Sequence, residues 1–214
     1  ISHRRKYEIY SNQGTMSMNF YMALWKGTSE KMDFTNNASY DYDSLKKRII
    51  LFIENNLSEK RLKHTYSVVT EAVKLAAEYG EDRKKAELAA LFHDMFRGAS
   101  KDASNMYVRH LGLDKKYINN TNLAHSKIAA EIMKKDYGIK DKDILNAVSY
   151  HTTGRAGMSR LEKIIFLADA IEPGRNYPAV EEIREIAYWD LDKACVISLE
   201  RNIEYIREKG GYGV

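Results

Sequence analysis

Apolar side chains recur through most of this chain at the i, i+3, i+4, i+7 spacing of a helix face, and no convincing run alternates apolar with polar residues as a half-buried strand does. Prolines are confined to Pro173 and Pro178, so nearly the whole length is free of helix breakers. The pattern predicts an all-α fold. From Tyr42 onward the helix ends can be read from their caps. One helix runs from about Ser44 to Asn55, and Ser58 is an N-cap for the next, which ends at Gly80. Asp82 caps a helix reaching about His93, and another spans roughly Leu123 to Tyr137, closed by Gly138. Asp141 starts a helix ending near His151. Ser159 and Glu162 have capping-box spacing and open a helix through Asp169. Pro178 suits a first helical position, and Asp190 caps a final helix that stops at Gly210-Gly211.

Residues 1–40 break the pattern. They are rich in Asn, Ser, Met and Tyr, and read as an N-terminal extension without an assignable structure, ahead of one domain over residues 41–214. Met32 is a candidate alternative start, and Phe20, Tyr21, Trp25 and Phe34 could dock on the domain or on a neighbouring chain. A length of 214 residues with 44% hydrophobic content suits a single domain with a real core. The net charge of +4 is too small to argue for nucleic acid or a membrane, yet it allows a local basic pocket for a polyphosphate. Cys195 is the one cysteine, so no disulfide framework exists; it reads as a small core hydrophobe in a reducing compartment. No window approaches the ~18 apolar residues of a membrane span. The basic run His3-Arg4-Arg5-Lys6 is not followed by an apolar stretch, as a signal peptide would require. The cytoplasm is therefore the expected location, with homodimerisation left open.

Chemistry concentrates in a few places. Of six histidines, His64, His93, His125 and His151 stand out by context, and His3 and His110 read as solvent-exposed. Asp94 follows Leu88-Ala89-Ala90-Leu91-Phe92-His93, and Asp169 follows Ile164-Ile165-Phe166-Leu167-Ala168, so each carboxylate interrupts a stretch that looks buried. Burying a carboxylate costs several kcal/mol unless it is paired or metal-bound. Imidazoles with carboxylates make a nitrogen–oxygen site suited to iron, manganese or zinc. Any one of these histidines alone is more often a helix-end or hydrogen-bonded core residue than a ligand, and an Asp after an apolar run can simply cap the next turn. It is the set that argues for a metal.

The order His64, His93-Asp94, Asp169 resembles the metal-binding signature of the HD superfamily of phosphohydrolases, and His125 and His151 match the extra histidines of members that hold two metals. The segments Leu57-Ser58-Glu59-Lys60-Arg61, His151-Thr152-Thr153-Gly154 and Ala168-Asp169-Ala170-Ile171-Glu172-Pro173-Gly174-Arg175 are similar to those of the YqeK-like subgroup. The likeness covers about residues 44–209. It implies an HD-domain helical bundle with a metal site in its core. It also implies symmetrical hydrolysis of diadenosine tetraphosphate to two ADP, with iron at the site. Two departures stand out: Arg97 occupies a place where lysine is common, and the chain stops at Val214, where relatives often continue.

From this follows an expected mechanism. Asp94 bridges two ions, His64, His93 and Asp169 complete one shell, and His125 and His151 hold the other. Two metals roughly 3.5–4 Å apart activate a hydroxide and clamp attacking and leaving oxygens. Asp94 and Arg97 are the expected catalytic residues. Arg61, His64, Arg97, Thr152, Asp169 and Arg175 are the expected contacts to a dinucleoside polyphosphate and its ADP- or GDP-like products. The Gly154–Gly157 loop is either a lid or a plain turn. Other HD hydrolases, acting on nucleoside mono- or triphosphates or on cyclic dinucleotides, share the motif order. A non-catalytic nucleotide-sensing module is the alternative of another class.

Overall fold

A computed structural model describes residues 42–210; the N-terminal extension with its aromatics, and His3, lie outside the described residues. Among these, nine α-helices follow one another and no strand occurs: α1 (Tyr42–Asn56), α2 (Glu59–Glu78), α3 (Arg83–Phe92), α4 (Lys101–Leu111), α5 (Thr121–Asp136), α6 (Lys142–Tyr150), α7 (Arg160–Ile171), α8 (Val180–Ala187) and α9 (Leu191–Glu208). A short 3-10 turn, Lys115–Tyr117, joins α4 to α5. The all-helical fold is the one the apolar spacing predicts.

Most of the capping reads through directly. The Ser58 side chain accepts from the Arg61 amide, Asp82 from Lys84 and Lys85, Asp141 from Asp143 and Ile144, and Asp190 from Lys193. The Ser159–Glu162 capping box is complete in both directions. Such caps satisfy amides that have no partner within their own helix, each contributing ~1 kcal/mol. Gly80 follows α2 with φ +65°, a conformation that favours glycine and turns the chain toward α3.

At the centre lies α7. Leu161, Ile164, Ile165, Phe166, Leu167, Ala168 and Ile171 are buried around most of its circumference, because α2, α3, α6, α8 and α9 all pack on it. Each large apolar side chain so covered contributes ~1.5–3 kcal/mol relative to exposure. Helices α2 and α3 pack together as one pair beside it, and α5 with α6 as another, so the site is bounded by α2, α3, α5, α6 and α7. Helix α1 covers α3 through Leu45, Ile49 and Ile53, one stripe at four-residue spacing. Cys195 is buried, and burial pushes its thiol up to about 12, as suits a core residue. His110 is exposed. No helix among the described residues is long and apolar enough to cross a membrane.

Three local readings differ from the structure. Helix α4 is absent from the sequence pattern because its buried face is Ser104, Asn105 and Val108, mostly polar. Asn105 accepts from the Asn119 amide at 2.7 Å and donates to the Asn119 side chain at 2.9 Å, which lets a polar face be buried. Helix α5 starts at Thr121, two residues early, because the Asn120 side chain caps it through the Leu123 amide. Pro178 is not a first helical residue. It occupies the second place of a tight turn closed by the Val180 amide on the Tyr177 carbonyl (3.1 Å), with Ala179 at φ +68°. A left-handed Ala179 cannot belong to a helix that begins at 178, so α8 starts after it.

Candidate metal centre

Five helices each deliver a ligand type from a defined place. His64 projects from α2, His125 from the fifth residue of α5, and Asp169 from near the end of α7. His93 and His151 are both C-caps, of α3 and α6, and both use the same local device. The His93 Nδ1–H donates to the Ala90 carbonyl (2.6 Å), and the His151 Nδ1–H to the Val148 carbonyl (2.8 Å), each three residues back. Helix ends leave such carbonyls without partners. His64 Nδ1–H donates to Glu172 Oε1 at 3.2 Å. In His64, His93 and His151 the acceptor beside the outer nitrogen draws the proton there and leaves the Nε2 lone pair facing inward, whereas His125 Nδ1 stands 3.3 Å from both the Thr121 carbonyl and the Arg97 guanidinium.

Those four Nε2 atoms surround one carboxylate. Asp94 Oδ2 lies 3.7 Å from His64 and 3.9 Å from His93, while Oδ1 lies 3.2 Å from His125 and 3.7 Å from His151. Asp169 Oδ1 is 3.2 Å from His64 Nε2. Within each pair the imidazole nitrogens face one another, at 3.3 Å for His64 and His93 and at 3.2 Å for His125 and His151. Two inward lone pairs at that distance repel unless a cation lies between or beside them. Two nitrogens bound ~2.1 Å from a shared ion, at angles between a right angle and tetrahedral, sit about 3.0–3.4 Å apart. Both observed separations fall in that interval, so the donor set fits a metal. The triads His64–His93–Asp94 and Asp94–His125–His151 each hold their ligand atoms within 4.8 Å of one another.

The electrostatics follow from burial and mutual contact. Burial lowers His93 to about 4, keeping its ring neutral as a ligand must be, and burial lowers His125 in the same direction. Burial opposes ionisation of Asp94, but the imidazoles of His93, His125 and His151 outweigh it and hold the carboxyl well below the usual range. Asp169 is depressed likewise, its burial overcome by His64, His93 and Arg175. His64 moves the other way: burial lowers it, and the carboxylates of Asp169 and Glu172 more than reverse that.

A cavity of about 990 Å³ opens over this cluster. The structure brings the expected site residues to its lining except His93, which is fully buried against His64 and His151. Arg61 Nη1 is 3.5 Å from Asp94 Oδ2, and Arg97 Nη1 donates to the Asn122 carbonyl (3.3 Å) beside His125. The Thr152 hydroxyl lies 3.2 Å from His151 Nε2 and 3.4 Å from His125 Nε2, at the inner edge of the second triad. Arg175 is held rather than free: Nε donates to the Asp169 carbonyl at 2.8 Å and Nη2 pairs with the Asp169 carboxylate. Sequence reasoning missed two residues. Glu172, buried, orients His64 and also accepts from the Gly174 amide at 2.6 Å. Arg184 of α8 donates to the carbonyls of Ile171, Glu172 and Arg175, each at 2.8 Å, and so fixes the turn that carries Glu172. Glu172 had a signal, a carboxylate directly after the apolar end of α7; Arg184 had none, being an ordinary charged position on an amphipathic helix.

A buried imidazole–carboxylate centre, set in a helical bundle beneath a basic cavity, is the arrangement of a metal-dependent HD hydrolase, and the chain belongs to the HD domain family, which matches residues 61–174. More narrowly, it is 37% identical over 158 residues to the symmetrical bis(5'-nucleosyl)-tetraphosphatase of Bacillus subtilis, covering 73% of this chain and 85% of that one. It is 40% identical over 163 residues to the protein of the same name from Halalkalibacterium halodurans, covering 76% and 87%. The fold matches a solved structure from Clostridium acetobutylicum, described as a predicted HD superfamily hydrolase involved in NAD metabolism, with a TM-score of 0.70 and 39% identity, over 83% of this chain and 93% of that one.

Proposed function

We propose that this protein hydrolyses diadenosine tetraphosphate symmetrically, consuming one water and releasing two ADP. The observation that carries the reading is Asp94 seated between two imidazole pairs, one carboxylate oxygen toward each. The relatives' names supply the substrate class. That placement supports two ions: His64, His93, Asp94 and Asp169 would hold one, and Asp94, His125 and His151 would hold the other. The all nitrogen–oxygen donor set suits iron, manganese or zinc, and the choice of iron rests on the family resemblance. When bound, such ions supply an acidified water and positive charge for phosphate oxygens.

The remaining work falls to the chain's own groups. Arg61 and Arg97, both at the rim of the Asp94 cluster, neutralise the polyphosphate as charge gathers on the leaving oxygens. Arginine suits this because its flat fork grips two phosphate oxygens at once. Arg175 steadies Asp169 and turns its exposed edge to the cavity. Thr152 offers a hydroxyl beside the second triad. No serine or cysteine at the site is needed as a nucleophile, and the single buried thiol suits a cytoplasmic enzyme.

Elemental analysis of protein purified without added metal, followed by chromatography of the products from a nucleotide panel, tests the proposal. The expected result is two metal equivalents and ADP as the only product of diadenosine tetraphosphate. Asp94→Ala should lose both metal and at least ~10³-fold in rate while its helical circular dichroism stays native, the order of loss expected when an electrostatic keystone is removed. Full activity in a metal-free Asp94→Ala protein would sink the reading, and release of inorganic phosphate from mononucleotides would replace it with a different one.

A further inference from the structure

Helix α6 carries His151 at its C-cap, so the last turn of that helix decides where one ligand of the second triad stands. Helix ends fray, because their final carbonyls have no partner within the helix. Here three of those carbonyls are taken. Val148 accepts from the His151 ring at 2.8 Å, Tyr150 from the Gly154 amide at 2.8 Å, and Ser149 from Lys127 Nζ at 2.7 Å. The first two bonds are local. The third comes from α5, two residues after His125, the other imidazole of the same triad.

Lys127 is half-buried. Its ammonium also donates to the Ser149 hydroxyl at 2.9 Å and lies 3.6 Å from the centre of the Tyr150 ring. A cation is favoured at the carbonyl end of a helix by the helix dipole, and over an aromatic face by the ring quadrupole. The same ring is also tied toward α7: Arg155, which Glu162 grips at 2.7 and 2.8 Å, lies 5.3 Å from its centre.

Metal coordination tolerates errors of only ~0.2 Å in ligand distance. The Nε2 atoms of His125 and His151 stand 3.2 Å apart, yet they belong to two different helices. Lys127 joins those helices two residues after His125 and, through Ser149, two residues before His151. Both of its partner residues belong to α6, and neither sits on α2 or α3, which carry His64 and His93. We propose that Lys127 is a positioning residue for the second metal ion alone: by fastening the end of α6 to α5, it sets the spacing of the His125–His151 pair. This rests on the two-ion reading above.

Calorimetric titration of the metal-free protein with manganese reads both affinities, and His151→Ala identifies the one that belongs to the second triad. Lys127→Met keeps the length of the side chain but has neither charge nor donor. It should weaken the second affinity ~10- to 100-fold, the range for groups that orient metal ligands, and leave the first near its wild-type value. Lys127→Arg keeps a cation and a donor for the Ser149 carbonyl, and should recover most of the loss. Urea unfolding of the metal-free proteins accompanies the titration, because a lysine that only stabilised the fold would lower both affinities together. Equal weakening at both sites, a wild-type second affinity in Lys127→Met, or no recovery in Lys127→Arg overturns the proposal. A wild-type protein that takes up one manganese equivalent overturns the two-ion reading and the proposal with it, whereas two equivalents in the wild type confine any failure to Lys127.

Discussion

Glu172→Gln isolates the consequence of a single proton. In the native protein the carboxylate accepts twice, from His64 Nδ1–H at 3.2 Å and from the Gly174 amide at 2.6 Å, and it is buried. A glutamine of the same shape has one oxygen and one NH2 group, so it can accept from only one of the two. The amide of Gly174 cannot change its role, and its bond is the shorter. The oxygen goes there, and the NH2 group faces His64 Nδ1. That nitrogen must then accept, which moves the imidazole proton to Nε2, the atom aimed at Asp94 and Asp169. Binding a metal would require His64 to switch back and leave two donors opposed. A buried donor left unpaired costs about 1–3 kcal/mol. At 1.4 kcal/mol per tenfold, that is ~5- to 150-fold in affinity, in line with the 10- to 100-fold typical of groups that orient metal-bound histidines. Gly174→Ala acts from the other side, because its Cβ would lie 2.9 Å from both carboxylate oxygens. Competition against a chromophoric chelator reads the affinity, and urea unfolding of the metal-free protein separates it from stability. Wild-type affinity in a folded Glu172→Gln protein would refute the reasoning.

Two more outcomes follow from the same contacts. Arg184→Lys replaces a fork that reaches three carbonyls with a point charge that cannot span them, so it should lower unfolding free energy by ~2–4 kcal/mol, with metal affinity falling as the Glu172 turn loosens. Unchanged urea midpoints would remove Arg184 from the support of the site. The Cys195 thiol, 4% exposed and pushed up to about 12 by burial, should stay unreactive to a thiol reagent at pH 8 in the native protein, and one equivalent should react after unfolding. Rapid native labelling would show that the α9 packing is wrong.

Much of this molecule is local, and what is local is legible. Ser58, Asp82, Asp141, Ser159 and Asp190 each bond amides two or three residues away, so helix starts can be written from the chain alone. Ligand candidates were legible for a related reason: a carboxylate such as Asp94 or Asp169 in an apolar stretch is expensive unless something compensates it. Where burial was achieved with polar groups, as in the Asn105–Asn119 exchange under α4, the apolar pattern had nothing to report. Pro178 misled because its turn depends on the left-handed Ala179, which no residue type announces.

Apolar spacing and caps, read along the chain, establish that residues 42–210 are helical and where most helices begin, and they mark six side chains, His64, His93, Asp94, His125, His151 and Asp169, as possible ligands. How those six act together depends on packing. The tautomers of His93 and His151 are set within one turn of their own helices, but His64 is set by Glu172, 108 residues away. Arg184 reaches back 9 to 13 residues to hold that partner's turn. Arg175 proves to brace Asp169 rather than stand free. The physical reason is the range of the forces: caps and periodicity act over a turn, whereas the direction of a lone pair and the charge of a cavity depend on whatever packing brings within a few ångströms.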